Sequence, residues 1–81
     1  MATSLKPYGN VRYADPGYQA DGVYRYPLER RRRGVLSPAR IRDAMGRFHQ
    51  NEHRYTARQR ALIEGRIRGA GRRAGIRWAG R

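Results

Sequence analysis

Two histidines and a glutamate carry the most familiar catalytic spacing in this chain. Residues 49–53 read HQNEH, which matches the H-x-x-E-H string of zinc peptidases. In those enzymes both imidazoles bind the metal and the glutamate acts as the base, so the histidines must share a helix face and a third ligand must exist. Asn51 and a helix cap at Thr56 instead indicate that a helix ends here, and we find no convincing third ligand. We therefore predict an inter-helix loop and no metal site.

Two further patterns that suggest catalysis are better explained by local structure. Asp15 and Asp21 resemble paired carboxylates, but each begins a turn, Asp-Pro-Gly or Asp-Gly, where a carboxylate accepts hydrogen bonds from the nearby backbone. The glycines of residues 69–75 miss the dinucleotide-binding spacing and follow no strand. We predict no catalytic residues and no cofactor.

Positive charge is the dominant property of the sequence. The chain has 19 Lys and Arg against 6 Asp and Glu, a net charge of +13. Residues 29–81 alone carry a net charge of +12, from sixteen arginines and four acidic residues. Such a density attracts polyanions, and guanidinium groups bind phosphate bidentately. We predict a nucleic acid as the partner, DNA in preference to RNA, with an acidic protein surface as the alternative.

Two groups of arginines are the candidate binding residues. Four consecutive arginines form a basic linker, which suits an arm that tracks phosphates or enters a minor groove, although such a run can also be simply solvated. Five more lie opposite the apolar stripe of a predicted helix, where the alternative is a face selected for solubility. The candidate nucleic-acid-binding residues are Arg30, Arg31, Arg32, Arg33, Arg58, Arg66, Arg68, Arg72 and Arg73.

Two helices must position these arginines. Ser37 is a good N-cap with Pro38 at the first helical position, which predicts a helix over about 38–50. Thr56 and Gln59 form a capping box that begins a second helix over about 57–74, and Gly75 is typical of its C-terminal cap. The predicted core comprises Leu36, Ile41, Ala44, Met45, Phe48, Ile63, Ile67, Ala70 and Ile76, with some of the tyrosines.

Glycines interrupt the arginine face of the second helix. Gly65 and Gly69 each cost about 1 kcal/mol of helix stability relative to alanine. Either a phosphate backbone approaches this bare strip, or the N-terminal arm lies across it and also covers Leu62. The second alternative is favoured, because a chain this short has few apolar side chains and needs to bury them.

The whole chain fits one small domain of mainly α class. We predict a helix–loop–helix pair with an irregular, tyrosine-rich N-terminal arm packed on it over residues 11–76, a flexible N-terminus at 1–10 and a flexible tail at 77–81. There are no cysteines, and no apolar run reaches the ~18 residues that a membrane span needs. We expect no membrane association, and a location in the cytoplasm of a host cell or in a virion.

The order of these signals resembles a small uncharacterised domain of bacteriophage and prophage proteins, often encoded near head-morphogenesis proteins. The resemblance covers residues 13–76 and is carried by ADPGYQADG (14–22), RYPL (25–28) and YTARQRALIEGRIRGAGRRAGI (55–76). The chain departs from the pattern in its arginine run after Glu29 and in the glycines of its last helix. The resemblance implies a phage context and no catalytic residues.

These observations lead to a non-catalytic function. The leading hypothesis is a small basic phage-type protein that binds nucleic acid mainly through arginine–phosphate contacts. The alternatives are a structural or assembly module that docks an acidic partner protein, and an inhibitor of a host nucleic-acid machine.

Overall fold

The fold is a pair of helices packed on a small antiparallel sheet. The computed structural model describes residues 5–30 and 34–78. The elements in chain order are β1 (Tyr13–Asp15), β2 (Arg25–Pro27), α1 (Pro38–Asn51) and α2 (Ala57–Arg73), with a 3₁₀ turn (Glu52–Arg54) between the helices. The mainly α class is confirmed.

The helices begin at the caps that the sequence predicts. The Ser37 side chain accepts a hydrogen bond from the Arg40 amide at the start of α1. At the start of α2 the capping box is complete, because Thr56 and Gln59 each bond the backbone amide of the other. These local bonds satisfy amides that a helix leaves without partners, so each boundary is set within a few residues of sequence.

A Schellman motif ends α2. Gly75 has a φ of +85°, and the Ile76 amide donates to the Gly71 carbonyl across 2.8 Å. A side chain at Gly75 would be strained in this left-handed conformation, which explains the glycine. Ile76 then turns back and is buried in the core.

The N-terminal arm, which was predicted to be irregular, forms a two-stranded sheet. β1 and β2 are antiparallel, with Tyr13 opposite Pro27 and Asp15 opposite Arg25. Tyr26, between them in β2, has a φ of +63°. This unusual conformation for a bulky residue is held by packing, since the Tyr26 ring is buried against Phe48 and Tyr55.

The core lies between the two helices and the arm. Its side chains come from α1, α2 and both strands, so neither the helices nor the arm form a core alone. Eight of the nine aliphatic and aromatic residues predicted for the core are buried, and Leu36 is half-buried. The buried apolar residues of the arm and turn that join them are Val11, Tyr13, Ala14, Tyr26, Leu28 and Tyr55.

Both chain ends are more structured than predicted where they are described. Leu5 pairs with Val23 in a parallel bridge, and its amide donates to the Gly22 carbonyl across 3.1 Å. Trp78, expected in a flexible tail, packs against the core and donates from Nε1 to the Arg68 carbonyl across 3.1 Å. The predicted flexible segments therefore include residues that contact the rest of the domain. Residues 1–4 and 79–81 lie outside the described part.

Candidate nucleic-acid interface

A basic groove separates the N-terminal arm from α2. We call it the glycine groove, because Gly65 and Gly69 of α2 expose bare backbone along it. Its volume is about 500 Å³. The residues that line it are Lys6, Asn10, Val11, Arg12, Tyr13, Tyr24, Leu28, Gly65, Arg66, Gly69 and Arg73.

Four cations from distant parts of the chain meet around this groove. Lys6 and Arg12 come from the arm, and Arg66 and Arg73 come from α2. No acidic side chain of residues 5–30 or 34–78 lines the groove. The nearest charge compensation comes from buried Glu29, whose carboxylate lies 3.6 Å from Nε of Arg12. The groove therefore presents a concentrated positive potential to solvent.

Two tyrosine rings form part of the groove wall. Tyr13 and Tyr24 meet edge to face with their centroids 5.2 Å apart, and the Lys6 ammonium lies 5.4 Å from the Tyr24 centroid. The Tyr13 hydroxyl accepts from the Tyr8 amide and donates to the Gly9 carbonyl. Burial accordingly raises the pKa of Tyr13. These contacts hold the arm in the position that opens the groove.

The arm does not cover the glycine strip, contrary to the favoured expectation. A Cβ atom built at Gly65 would meet nothing within 4 Å, and at Gly69 only the guanidinium of Arg73, at 3.6 Å. Leu62 stays 42% exposed. The backbone of this strip is therefore accessible from solvent at Gly65.

The presence of glycine at position 71 is explained by packing within the protein. A Cβ atom at this position would lie 2.7 Å from Cε2 of the Trp78 indole. Real side chains do not approach so closely, so the indole packs on α2 only because residue 71 is glycine. The contact with Trp78 therefore explains why a residue of low helix propensity occupies this position.

The five predicted arginines of α2 do not all line the same surface. Arg66 and Arg73 line the glycine groove, whereas Arg68 and Arg72 line a second hollow beside Trp78. Arg58 is exposed and lines neither. The predicted face is thus divided between two neighbouring hollows, one formed with the arm and one with the C-terminal segment.

Arg66 holds the arm as well as lining the groove. Its Nη1 donates to the Ala14 carbonyl across 3.0 Å, and its guanidinium lies 5.5 Å from the Tyr18 ring centroid. The guanidinium satisfies the carbonyl of a buried strand residue. A substitution of Arg66 would therefore disturb the fold, which makes this residue a poor probe of ligand binding.

The arginine-rich linker is anchored by a buried carboxylate. Glu29 is fully buried and accepts hydrogen bonds from the backbone amides of Arg12 and Gly34. Arg30 is exposed, and its amide donates to the Val35 carbonyl across 3.2 Å. Residues 29–30 and 34–35, which flank the arginine run, are thus joined by hydrogen bonds, one of them to the Glu29 carboxylate. Arg31, Arg32 and Arg33 lie outside the described residues.

The most specific string of the sequence, DPGYQADG, forms a structural network. Oδ1 of Asp15 accepts from the amides of Gly17 and Tyr18, and Oδ2 accepts from the Tyr55 hydroxyl across 2.6 Å. Burial and this bond to Asp15 raise the pKa of Tyr55 above its ordinary value of 10.0. The Asp15 carboxylate therefore caps its own turn and joins the arm to the segment that precedes α2.

The second aspartate of that string has a similar role. Asp21 accepts from the Val23 amide and pairs with the Arg25 guanidinium, which lowers the pKa of the carboxyl. Gly17, between the two aspartates, has a φ of +95°, and a Cβ there would lie 3.1 Å from the Gly22 carbonyl oxygen. Both carboxylates thus stabilise turns, as the sequence predicts.

The histidine string lies at the junction of the helices. His49 lies in the last turn of α1 and its Nδ1 lies 3.0 Å from the Glu52 carboxylate, while His53 belongs to the exposed 3₁₀ turn. Within residues 5–30 and 34–78, no three potential metal ligands gather. No helix of that same part is long and apolar enough to cross a bilayer.

Two of the four cations that line the groove were not predicted from the sequence. It assigned no role to Lys6 and Arg12, because single basic residues in a segment of low net charge give no local signal. Only their placement opposite α2 makes them neighbours of Arg66 and Arg73. The glycines were the one available clue, since their position on the helix indicated an approach by something other than a side chain.

Comparison of the chain with protein-family models, curated proteins and solved structures found no match.

Proposed function

We propose that this protein binds nucleic acid without catalysing a reaction, mainly through phosphate contacts in the glycine groove. The observation that carries the proposal is the convergence of Lys6, Arg12, Arg66 and Arg73 around exposed helix backbone. A phosphate is a small, strongly hydrated anion, so recognition needs several donors and room for close approach. The two bare glycines supply that room.

The chemistry of the groove predicts non-specific binding. Its cations reach phosphates, and it offers few of the amide side chains that read base edges. Affinity would come mostly from the release of counterions, and exposed Arg30 and Arg58 would extend the contact. DNA remains the preferred polymer in this proposal.

A bacteriophage context is part of the proposal. It rests on the resemblance in residues 13–76 and on the basic composition. The protein would then act in the cytoplasm of an infected cell or in the virion, where DNA is abundant.

A salt titration tests the groove directly. We expect a labelled duplex oligonucleotide, followed by fluorescence anisotropy between about 50 and 200 mM salt, to give a log–log slope near −4 for ~four phosphate contacts. Because each lost contact removes about 0.9 from the slope, the double variant K6Q/R73Q should flatten it by about 2.

The matched control removes the same charge elsewhere. Arg42 and Arg47 are exposed on α1, away from the glycine groove. The variant R42Q/R47Q should therefore keep the slope nearly unchanged, with circular dichroism confirming the fold of both variants. Equal losses in the two variants would contradict the groove as the site, and absent or salt-independent binding would contradict nucleic-acid binding altogether.

An acidic protein partner is an outcome that a second assay would reveal. If protein captured from lysate stays bound after nuclease treatment, and purified DNA fails to bind, the basic surface serves protein association instead.

A further inference from the structure

A second hollow lies beside the glycine groove on α2. It has a volume of about 610 Å³ and is lined by Glu64, Arg68, Arg72, Ile76, Arg77 and Trp78. Three guanidinium groups and an indole thus surround one concave surface. Glu64 is its one carboxylate among the described residues, and it lies 3.4 Å from Nε of Arg68.

Trp78 is held rigidly in this hollow. Its Nε1 donates to the Arg68 carbonyl, and its ring packs on the bare backbone of Gly71. The Arg68 guanidinium lies over the ring, 5.9 Å from the centroid. The indole is only half-buried, so part of the ring lines the hollow instead of the core. A fixed, partly exposed aromatic ring beside guanidinium groups is the arrangement on which nucleic-acid bases stack.

The hollow and the glycine groove are close on the helix. Residues 64, 68 and 72 line the hollow, and residues 65, 69 and 73 line the groove, so the two sets form adjacent rows with i, i+4 spacing. Gly65, in the groove row, is exposed and has no side chain to obstruct a ligand. A strand with its phosphates in the groove can therefore cross α2 and place a base in the hollow.

We propose that the hollow beside Trp78 is a base-stacking subsite for single-stranded nucleic acid. The proposal rests on the proposed function, because the phosphates of the same strand occupy the glycine groove. It adds a preference for single strands, since a duplex keeps its bases stacked internally and cannot offer one to the indole without unpairing.

The experiment uses the intrinsic fluorescence of the protein. Trp78 is the only tryptophan in the chain, so its emission reports on this hollow alone. Oligo(dT) should quench the emission saturably, at the concentrations at which anisotropy shows binding. Inorganic polyphosphate supplies the charge without bases, so it should bind and leave the emission nearly unchanged.

Variants separate stacking from charge. W78L should weaken binding of oligo(dT) roughly tenfold and leave binding of duplex DNA within about twofold, because base–aromatic stacking is the interaction removed. W78F should restore part of the loss, since a phenyl ring still stacks. Circular dichroism checks that both variants fold.

The outcomes that overturn the subsite differ from those that overturn the proposed function. Oligo(dT) that binds without changing the emission, or equal quenching by polyphosphate, would disprove the stacking subsite and leave phosphate binding intact. A protein that binds neither oligo(dT), duplex nor polyphosphate would contradict both proposals.

Discussion

At the scale of single residues, the buried carboxylate of Asp15 connects two distant parts of the chain. It lies in the arm, forty residues from Tyr55, and is fully buried. A buried carboxylate is costly unless its oxygens accept hydrogen bonds, and Asp15 accepts three, from two amides and one hydroxyl. The hydrogen bond from Tyr55 therefore contributes more to the free energy of unfolding than an exposed hydrogen bond would.

Removal of the Tyr55 hydroxyl should destabilise the fold. We expect Y55F to lower the free energy of unfolding by about 1–3 kcal/mol, because one oxygen of Asp15 loses a donor in a buried site. Urea titration measures the change. Y8F is the matched control, since Tyr8 is 53% exposed and its hydroxyl bonds to no described residue; its loss should stay below about 0.5 kcal/mol. Equal losses in the two variants would contradict this role.

The same tyrosine should give the stability a dependence on alkaline pH. The pKa of Tyr55 is raised in the folded state, so above its ordinary value of 10.0 the unfolded chain releases a proton that the folded chain keeps. The contribution to stability is therefore complete below pH 10 and declines as the pH rises further. Urea titrations across this range should show a shallower decline in Y55F, and identical slopes would disprove the assignment. Tyr13, whose pKa is also raised, accounts for part of the decline that remains.

At the scale of the elements, Glu29 organises the loop that carries the arginine run. Its two carboxylate oxygens accept from the amides of Arg12 and Gly34, on either side of the loop base. The backbone of Glu29 also bridges to Leu36. One buried acid thus connects the residues on both sides of the arginine run to the arm.

Neutralising this acid should loosen the loop. Glutamine offers one acceptor oxygen where glutamate has two, so E29Q should cost about 1–3 kcal/mol of unfolding free energy. It should also accelerate hydrogen exchange at the Gly34 amide, which nuclear magnetic resonance can follow. The control E52Q changes a half-exposed acid in the 3₁₀ turn and should leave that amide protected. An unchanged exchange rate in E29Q would show that the loop is held by other contacts.

At the scale of the whole molecule, self-repulsion opposes folding. The net charge is +13, while the ion pairs of the described residues are mostly exposed and contribute little each. Compaction brings more cations than carboxylates together around the glycine groove and the hollow beside Trp78. The folded state should accordingly be stabilised by anything that screens or neutralises positive charge.

Salt should therefore raise the stability of the free protein. Between about 10 and 150 mM NaCl the Debye length falls from about 30 to about 8 Å, which screens repulsion between separated cations. We expect the urea midpoint to increase over this range, and to increase less in R42E, which lowers the net charge without touching the groove. A midpoint that falls with salt would mean that attractive ion pairs dominate instead.

The sequence alone determined the helices and most of the core. Caps such as Ser37 and the Thr56–Gln59 box act within three residues, and the apolar spacing of Ile63, Ile67 and Ala70 follows from the helical repeat. These interactions are local, so neighbouring residues carry all the information needed. The Asp15 and Asp21 turns were predictable for the same reason.

Only the tertiary structure decided which cations share a surface. Lys6 and Arg12 lie more than fifty residues from Arg66, and their meeting depends on how the arm packs on α2. The packing of Trp78 on Gly71 likewise forms a hollow that Arg68 and Arg72 line and Arg73 does not. Charge carries no periodic signal of its own across such distances, whereas the burial of Tyr26, Leu28 and the other apolar residues of the arm fixes its path over the helices.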